Sequence, residues 1–143
     1  MKAKFLTSLS VIALWMLLAA SFSSAQGDRA KALLGKWEGD VQVGAGAGKN
    51  VGDSARTLIV ESVEQKDGKL MAAGKWGITG KGLGKVDIEV DEGSDRVGIR
   101  FVTGANSTIR LSLVGPKQLT GTLTVPGPAR TGNDRALNLE KKD

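Results

Sequence analysis

The side chains that most often carry out enzymatic chemistry are missing from this sequence. Its 143 residues include no His, no Cys and no Tyr, which removes the usual general base, the thiol nucleophile and the soft metal ligands. The carboxylates that remain alternate with apolar residues along predicted strands, on the face that points to water. We therefore predict that the protein is not an enzyme and uses no cofactor or metal.

Two glycine-rich segments superficially resemble nucleotide-binding loops. The segment from Gly44 to Asn50 has Val43 where a phosphate loop needs its first glycine, and no helix is predicted after it. The segment from Gly80 to Gly84 lacks the spacing of a dinucleotide-binding turn. Both are interpreted as connections between strands.

One aromatic and three basic residues are the best candidates for ligand contact. Trp76 falls on the inward face of a predicted strand, near its open end, where the alternative role is core packing. Lys49, Lys81 and Arg130 fall in the loops at the same end. A positive rim there favours an anionic headgroup or an acidic partner, and the alternative is that these charges only keep the loops soluble.

Strands must position these residues, because apolar and polar side chains alternate strictly through most of the chain. From Trp37 to Val43 every second residue is apolar or glycine and the others are polar, which is typical of a strand with one buried face. The same alternation recurs seven more times, with turn signals between. We predict an all-β fold, an eight-stranded antiparallel up-and-down barrel, with a short helical turn over Asp28 to Leu34 that Asp28 caps.

Alternate loops of such a barrel lie at alternate ends. Loops that are mostly long and glycine-rich share one end, and tight turns share the other. We predict an open mouth at the first end and a closed floor at the second, plugged by the helical turn and Trp37. The inward face carries small residues, which either mark bends in a packed barrel or open an apolar pocket. These residues are Gly39, Ala72, Gly74 and Gly121.

Residues 1–25 have the pattern of a secretory signal peptide. Lys2 and Lys4 precede a largely apolar stretch, and small residues stand before a predicted cleavage between Ala25 and Gln26. The alternative is an uncleaved anchor, but polar residues within the stretch leave it short for a membrane span. We predict no membrane span after cleavage.

Residues 26–143 are long enough for one β-barrel domain of 118 residues. Removing the two lysines of the signal peptide lowers the net charge from +5 to +3, and this weak charge, with few aromatic residues, argues against nucleic acid as a partner. An exported chain without cysteine favours the bacterial periplasm or medium. We predict a periplasmic or secreted bacterial protein.

Gly35-Lys36-Trp37, which follows the helical turn and opens the first strand, resembles the lipocalin (calycin) pattern. In that family the Trp of Gly-x-Trp closes the barrel floor, and a basic residue of the last strand packs over it. The matching residue here is Lys141, where the family usually has Arg, and a lysine also makes favourable contact with an indole face. The chain is similar to small secreted lipocalin-like proteins of bacteria. The resemblance implies a non-catalytic protein that binds a small apolar or anionic amphipathic molecule.

A second resemblance is to bacterial periplasmic inhibitors of secreted metalloproteases, which are also small eight-stranded barrels. Their Ala-x-Leu-x-Gly-x-Trp-like pattern compares with residues Ala32 to Trp37 here. They insert an N-terminal segment into the protease cleft, which implies Gln26 to Lys31 here. That family carries a disulfide, which this chain cannot form. The alternative function is therefore a protein-interaction module with a secreted protein as its partner.

Overall fold

The protein is a closed barrel of eight antiparallel strands. The computed structural model describes residues 27–42, 54–127 and 134–143. Each strand pairs with its neighbours in sequence, and the first strand closes the ladder against the last, so the predicted fold class is confirmed. The strands are β1 (Gly35–Val41), β2 (Ala55–Lys66), β3 (Lys69–Ile78), β4 (Gly84–Glu92), β5 (Val97–Val102), β6 (Thr108–Leu113), β7 (Gln118–Thr124) and β8 (Asp134–Lys142).

Alternation along the strands sets the inner and outer walls. In β4, Val86 and Ile88 are buried while Lys85, Asp87 and Glu89 are exposed. Successive side chains of a strand point to opposite faces, so the apolar set fills the barrel and the charged set covers it. Thr57 is the buried polar residue of the described core, and its hydroxyl hydrogen-bonds to that of Thr79 at 2.9 Å.

Strand β2 is longer than the sequence pattern predicts. The alternation indicates an end near Val63, whereas the strand continues to Lys66. The register against β3 shifts between Val60 and Ser62, and a β-bulge of this kind bends a strand and inserts an extra residue. Because the bulge breaks strict alternation, the pattern beyond it no longer reveals the strand.

Three inward glycines allow neighbouring strands to approach one another closely. A Cβ added at Gly39, Gly74 or Gly121 would overlap a carbonyl oxygen of the adjacent strand. Those oxygens belong to Asn138, Ile59 and Arg110, respectively. The space that a side chain would need is occupied by backbone, so these glycines indicate close strand packing, not a pocket.

A 3₁₀ turn at Ala30–Leu33 covers one end of the barrel. Ala30 and Leu33 are fully buried. The backbone N–H of Gly27 donates to Glu92 Oε2 at 3.0 Å, and the Arg29 guanidinium donates to the carbonyl oxygen of Gly93 at 3.1 Å. We call this end, where the turn meets the β4–β5 connection, the floor, and the opposite end the mouth.

The predicted cap of this turn is wrong. Arg29, not Asp28, occupies the N-cap position, and no side chain caps the turn. Asp28 instead forms an exposed ion pair with Lys31 at 3.4 Å. A turn of only four residues is held by its buried apolar side chains, so it forms without the cap that a longer helix needs.

Candidate functional site

Trp37 lies at the centre of the floor. Its side chain is fully buried, and its Nε1–H donates to the carbonyl oxygen of Leu33 at 2.8 Å. This bond satisfies the only polar atom of the indole within an apolar environment. Trp37 therefore fastens the 3₁₀ turn to the first strand.

Lys141, which lies in the neighbouring strand β8, also contacts this turn. Its ammonium lies 5.4 Å from the centroid of the Trp37 ring and donates to the carbonyl oxygen of Ala32 at 2.9 Å. Gly35 has a φ of +124°, and a Cβ there would stand 3.1 Å from the lysine Cε. Gly35, Trp37 and Lys141 thus come together as one structural cluster at the floor.

Buried core side chains line the mouth as well as the floor. Trp76, Val86 and Leu123 have 8%, 7% and 7% of their surfaces accessible, and each lies at the mouth end of its strand. At the floor Leu33 and Trp37 are at 0%, whereas the inward side chains of Leu70, Val90 and Leu113 are only partly buried. Trp76 is therefore the aromatic core side chain that lies at the mouth.

Trp76 packs against Phe101 at the mouth. The two ring centroids are 5.5 Å apart with an interplanar angle of 67°, an edge-to-face arrangement. Such pairs contribute about 0.5–1.5 kcal/mol beyond the area they bury. Trp76 is thus part of the packed core, with 8% of its surface accessible.

The four predicted ligand residues do not all fall within the described structure. Lys81 lies in the β3–β4 connection at the mouth, exposed, with its backbone N–H donating to Ile78 at 3.0 Å. It therefore shares an end of the barrel with Trp76. Lys49 and Arg130 lie outside the described residues, so the predicted positive rim stays a prediction.

The predicted inhibitory segment packs onto the barrel. Of Gln26 to Lys31, Gly27 and Ala30 are buried and Arg29 is hydrogen-bonded to the β4–β5 connection; Gln26 lies outside the described residues. A segment that enters a protease cleft must be accessible, and these contacts would have to break first. The geometry therefore favours a structural role for this segment.

Two grooves on the outer wall were not predicted. One, of about 980 Å³, crosses β3 to β7 and includes Arg100 and Arg110. The other, of about 520 Å³, is lined by β1 and β8 and includes Glu38, Asp40 and Glu140. Alternation predicts that these charged residues point outward, but it does not show that neighbouring strands form a concave surface. The sequence therefore predicts the exposure of these residues and not the grooves.

Within the described ranges, no group of three or more acidic side chains is arranged to hold a metal ion. No helix in the described part of the chain has the length and apolar character needed to cross a membrane. Comparison with family models, curated proteins and solved structures gives no match for this chain. Proposals about its function therefore depend on the barrel itself, its plugged floor and the side chains at its mouth.

Proposed function

We propose that this protein is a non-catalytic binding protein of the lipocalin-like, calycin type from a bacterium, exported by its signal peptide to the periplasm or medium. Its ligand is a small apolar or anionic amphipathic molecule held at the mouth. The observation that carries the proposal is a closed barrel in which an aromatic core side chain, Trp76, lies at the same end as the exposed Lys81.

The close strand packing favours a shallow site over a deep one. Backbone fills the space beside the inward glycines, so the apolar part of the ligand would rest on Trp76 near the rim. Lys81, at the same end, would meet an anionic headgroup, together with Lys49 and Arg130 if their loops adjoin. Burying an alkyl chain contributes about 0.8 kcal/mol per CH₂, so even partial coverage gives measurable affinity.

Titration with laurate, followed by tryptophan fluorescence, tests the proposal. In residues 26–143 the tryptophans are Trp37 and Trp76, and Trp37 is sealed in the floor. Laurate should change the emission of the native protein and leave that of Trp76→Phe unchanged. Lys81→Gln should weaken binding several-fold because a charge-assisted contact is lost, whereas Lys117→Gln, the same change near the floor, should not.

The absence of any laurate-induced change in the fluorescence and the amide NMR spectrum would overturn the amphipathic-ligand proposal. So would an equal response in Trp76→Phe. Native mass spectrometry of protein taken from its own compartment extends the test, because a co-purifying small molecule would identify the ligand. The intact mass of that protein tests export, since we expect Gln26 to be its first residue.

A further inference from the structure

The larger groove lies on the outer wall of the barrel, away from the mouth. The exposed residues that line it alternate with Val90, Ile99 and Leu111, whose side chains point into the barrel. Its volume is about 980 Å³, which is in the range of small-molecule sites. Ionic and hydroxyl side chains share the lining of the groove with apolar ones, and such a mixed surface suits a ligand that has both polar and apolar faces.

Two arginines of adjacent strands contribute to the lining of this groove. Arg100 of β5 and Arg110 of β6 are directly opposite in the strand register. Like charges that are directly opposite on adjacent strands destabilise the sheet, and the barrel fold does not need arginine at either position. Arg100 forms an ion pair with Glu89 at 3.3 Å, and Arg110 has no ionic partner among the described residues.

Gly98 opens the bottom of the groove. It pairs with Asp91 on one side and Ser112 on the other, on the same outward row. A Cβ at this position would meet only Leu111 O at 3.7 Å and Asp91 O at 4.0 Å, which is ordinary contact. The packing therefore does not require glycine at this position. Because Gly98 has no side chain, the groove is open above its backbone.

Hydroxyl and carboxylate groups flank the arginine pair. Ser112, Thr120 and Thr122 lie on the β6–β7 side, and Glu89 and Asp91 on the β4 side. Hydroxyls both donate and accept, and carboxylates accept from ligand hydroxyls. The arginines provide forked donors that match a planar carboxylate or a sulfate. The set is thus complementary to a molecule that carries an anionic group and several hydroxyls.

We propose that the groove centred on Gly98 binds an acidic saccharide, with the carboxylate or sulfate of one sugar ring between Arg100 and Arg110. Sugar hydroxyls meet Asp91 and the β6–β7 hydroxyls. The site is separate from the mouth and does not depend on the function proposed there. A bound anion also offsets the repulsion between the two guanidinium groups, so the proposed site explains why two arginines lie opposite each other.

Amide NMR titration with the galacturonic acid trisaccharide tests this inference, with maltotriose as the neutral saccharide and sodium sulfate as the anion alone. We expect the acidic saccharide to shift the amides of Gly98, Arg100 and Arg110, and to bind at least about tenfold more tightly than either control. Equal binding of maltotriose would overturn the role of the arginines. Equal binding of sulfate would overturn recognition of the sugar.

Three variants complete the test. Arg110→Gln should weaken saccharide binding at least about tenfold, whereas Arg135→Gln, an exposed arginine of β8 outside the groove, should not. Gly98→Val should abolish binding without lowering the thermal midpoint, because valine suits a strand and has space there. Binding that survives Gly98→Val, or is lost equally in Arg135→Gln, overturns the proposed site. Trp76→Phe should leave saccharide binding intact, which separates this site from the mouth.

Discussion

Lys141 lies over the ring of Trp37, its ammonium 5.4 Å from the ring centroid. The two residues are directly opposite in the register of β8 and β1. The same ammonium donates to Ala32 at 2.9 Å, so a single side chain joins the last strand, the first strand and the 3₁₀ turn. At this point the first and last strands of the barrel are joined to each other.

Replacing Lys141 should loosen the floor. Lys141→Met keeps the aliphatic stem but removes the cation and the donor to Ala32, so we expect a loss of about 1–3 kcal/mol in the free energy of unfolding. Lys141→Arg should retain most of it. Urea denaturation measures both, with Lys142→Met, an exposed neighbour, as the control; an equal loss there would contradict the role of Lys141.

The hydrogen bond of the Trp37 indole should make it less replaceable than Trp76. Trp37→Phe removes the donor to Leu33 and leaves a buried carbonyl oxygen without it, a cost of about 1–3 kcal/mol in addition to the lost volume. Trp76→Phe keeps an aromatic ring beside Phe101, and the indole of Trp76 has no hydrogen bond to the 3₁₀ turn to lose. We expect Trp37→Phe to lower the urea midpoint more; the reverse order would contradict the assignment of floor and mouth.

Inward and outward glycines should respond oppositely to a methyl group. Gly121→Ala places a Cβ against the backbone of β6, and overpacking of this kind costs about 1–3 kcal/mol. Gly98→Ala adds the same methyl where contacts are ordinary, so its stability should be unchanged or higher. Thermal unfolding of the two variants measures this difference. Equal midpoints would contradict the conclusion that β6 lies too close to Gly121 to allow a side chain there.

The carboxylate of Glu92 should be needed to keep the N-terminal segment docked. Glu92→Ala leaves the buried N–H of Gly27 without its acceptor, at a cost of about 1–3 kcal/mol. Hydrogen exchange of the amides in residues 27–33 should accelerate more than that of the strands. Glu64→Ala, an exposed carboxylate of the β2–β3 hairpin, serves as the control, and unchanged exchange in Glu92→Ala would contradict the docking.

The strands could be predicted because one physical rule, alternation, governs most of them. It indicated eight strands, which the structure shows, and placed Trp76 inward. It failed beyond the bulge in β2, where two residues oppose one and the period is lost. It also could not distinguish a pocket from close packing at Gly121, since that depends on how near the next strand lies.

The candidate sites were less accessible from the sequence than the fold. The cluster of Gly35, Trp37 and Lys141 is carried by a short pattern at a fixed place in the strand order, so its members could be named in advance. The groove around Gly98 is formed jointly by residues of β3 to β7 and of the β2–β3 hairpin. No local spacing encodes such a surface, although the outward positions of Arg100 and Arg110 follow directly from alternation.

Closure of the ladder between β1 and β8 sets a condition on when the protein can fold. Lys141 and the Ala32 carbonyl that it holds are 109 positions apart in the chain, and contacts of such long range slow folding because the connecting loop must close first. Until β8 has been synthesised, β1 and β7 each have one unpaired edge, which can pair with a strand of another chain. A nascent chain of this design therefore stays an open sheet until its final strand emerges.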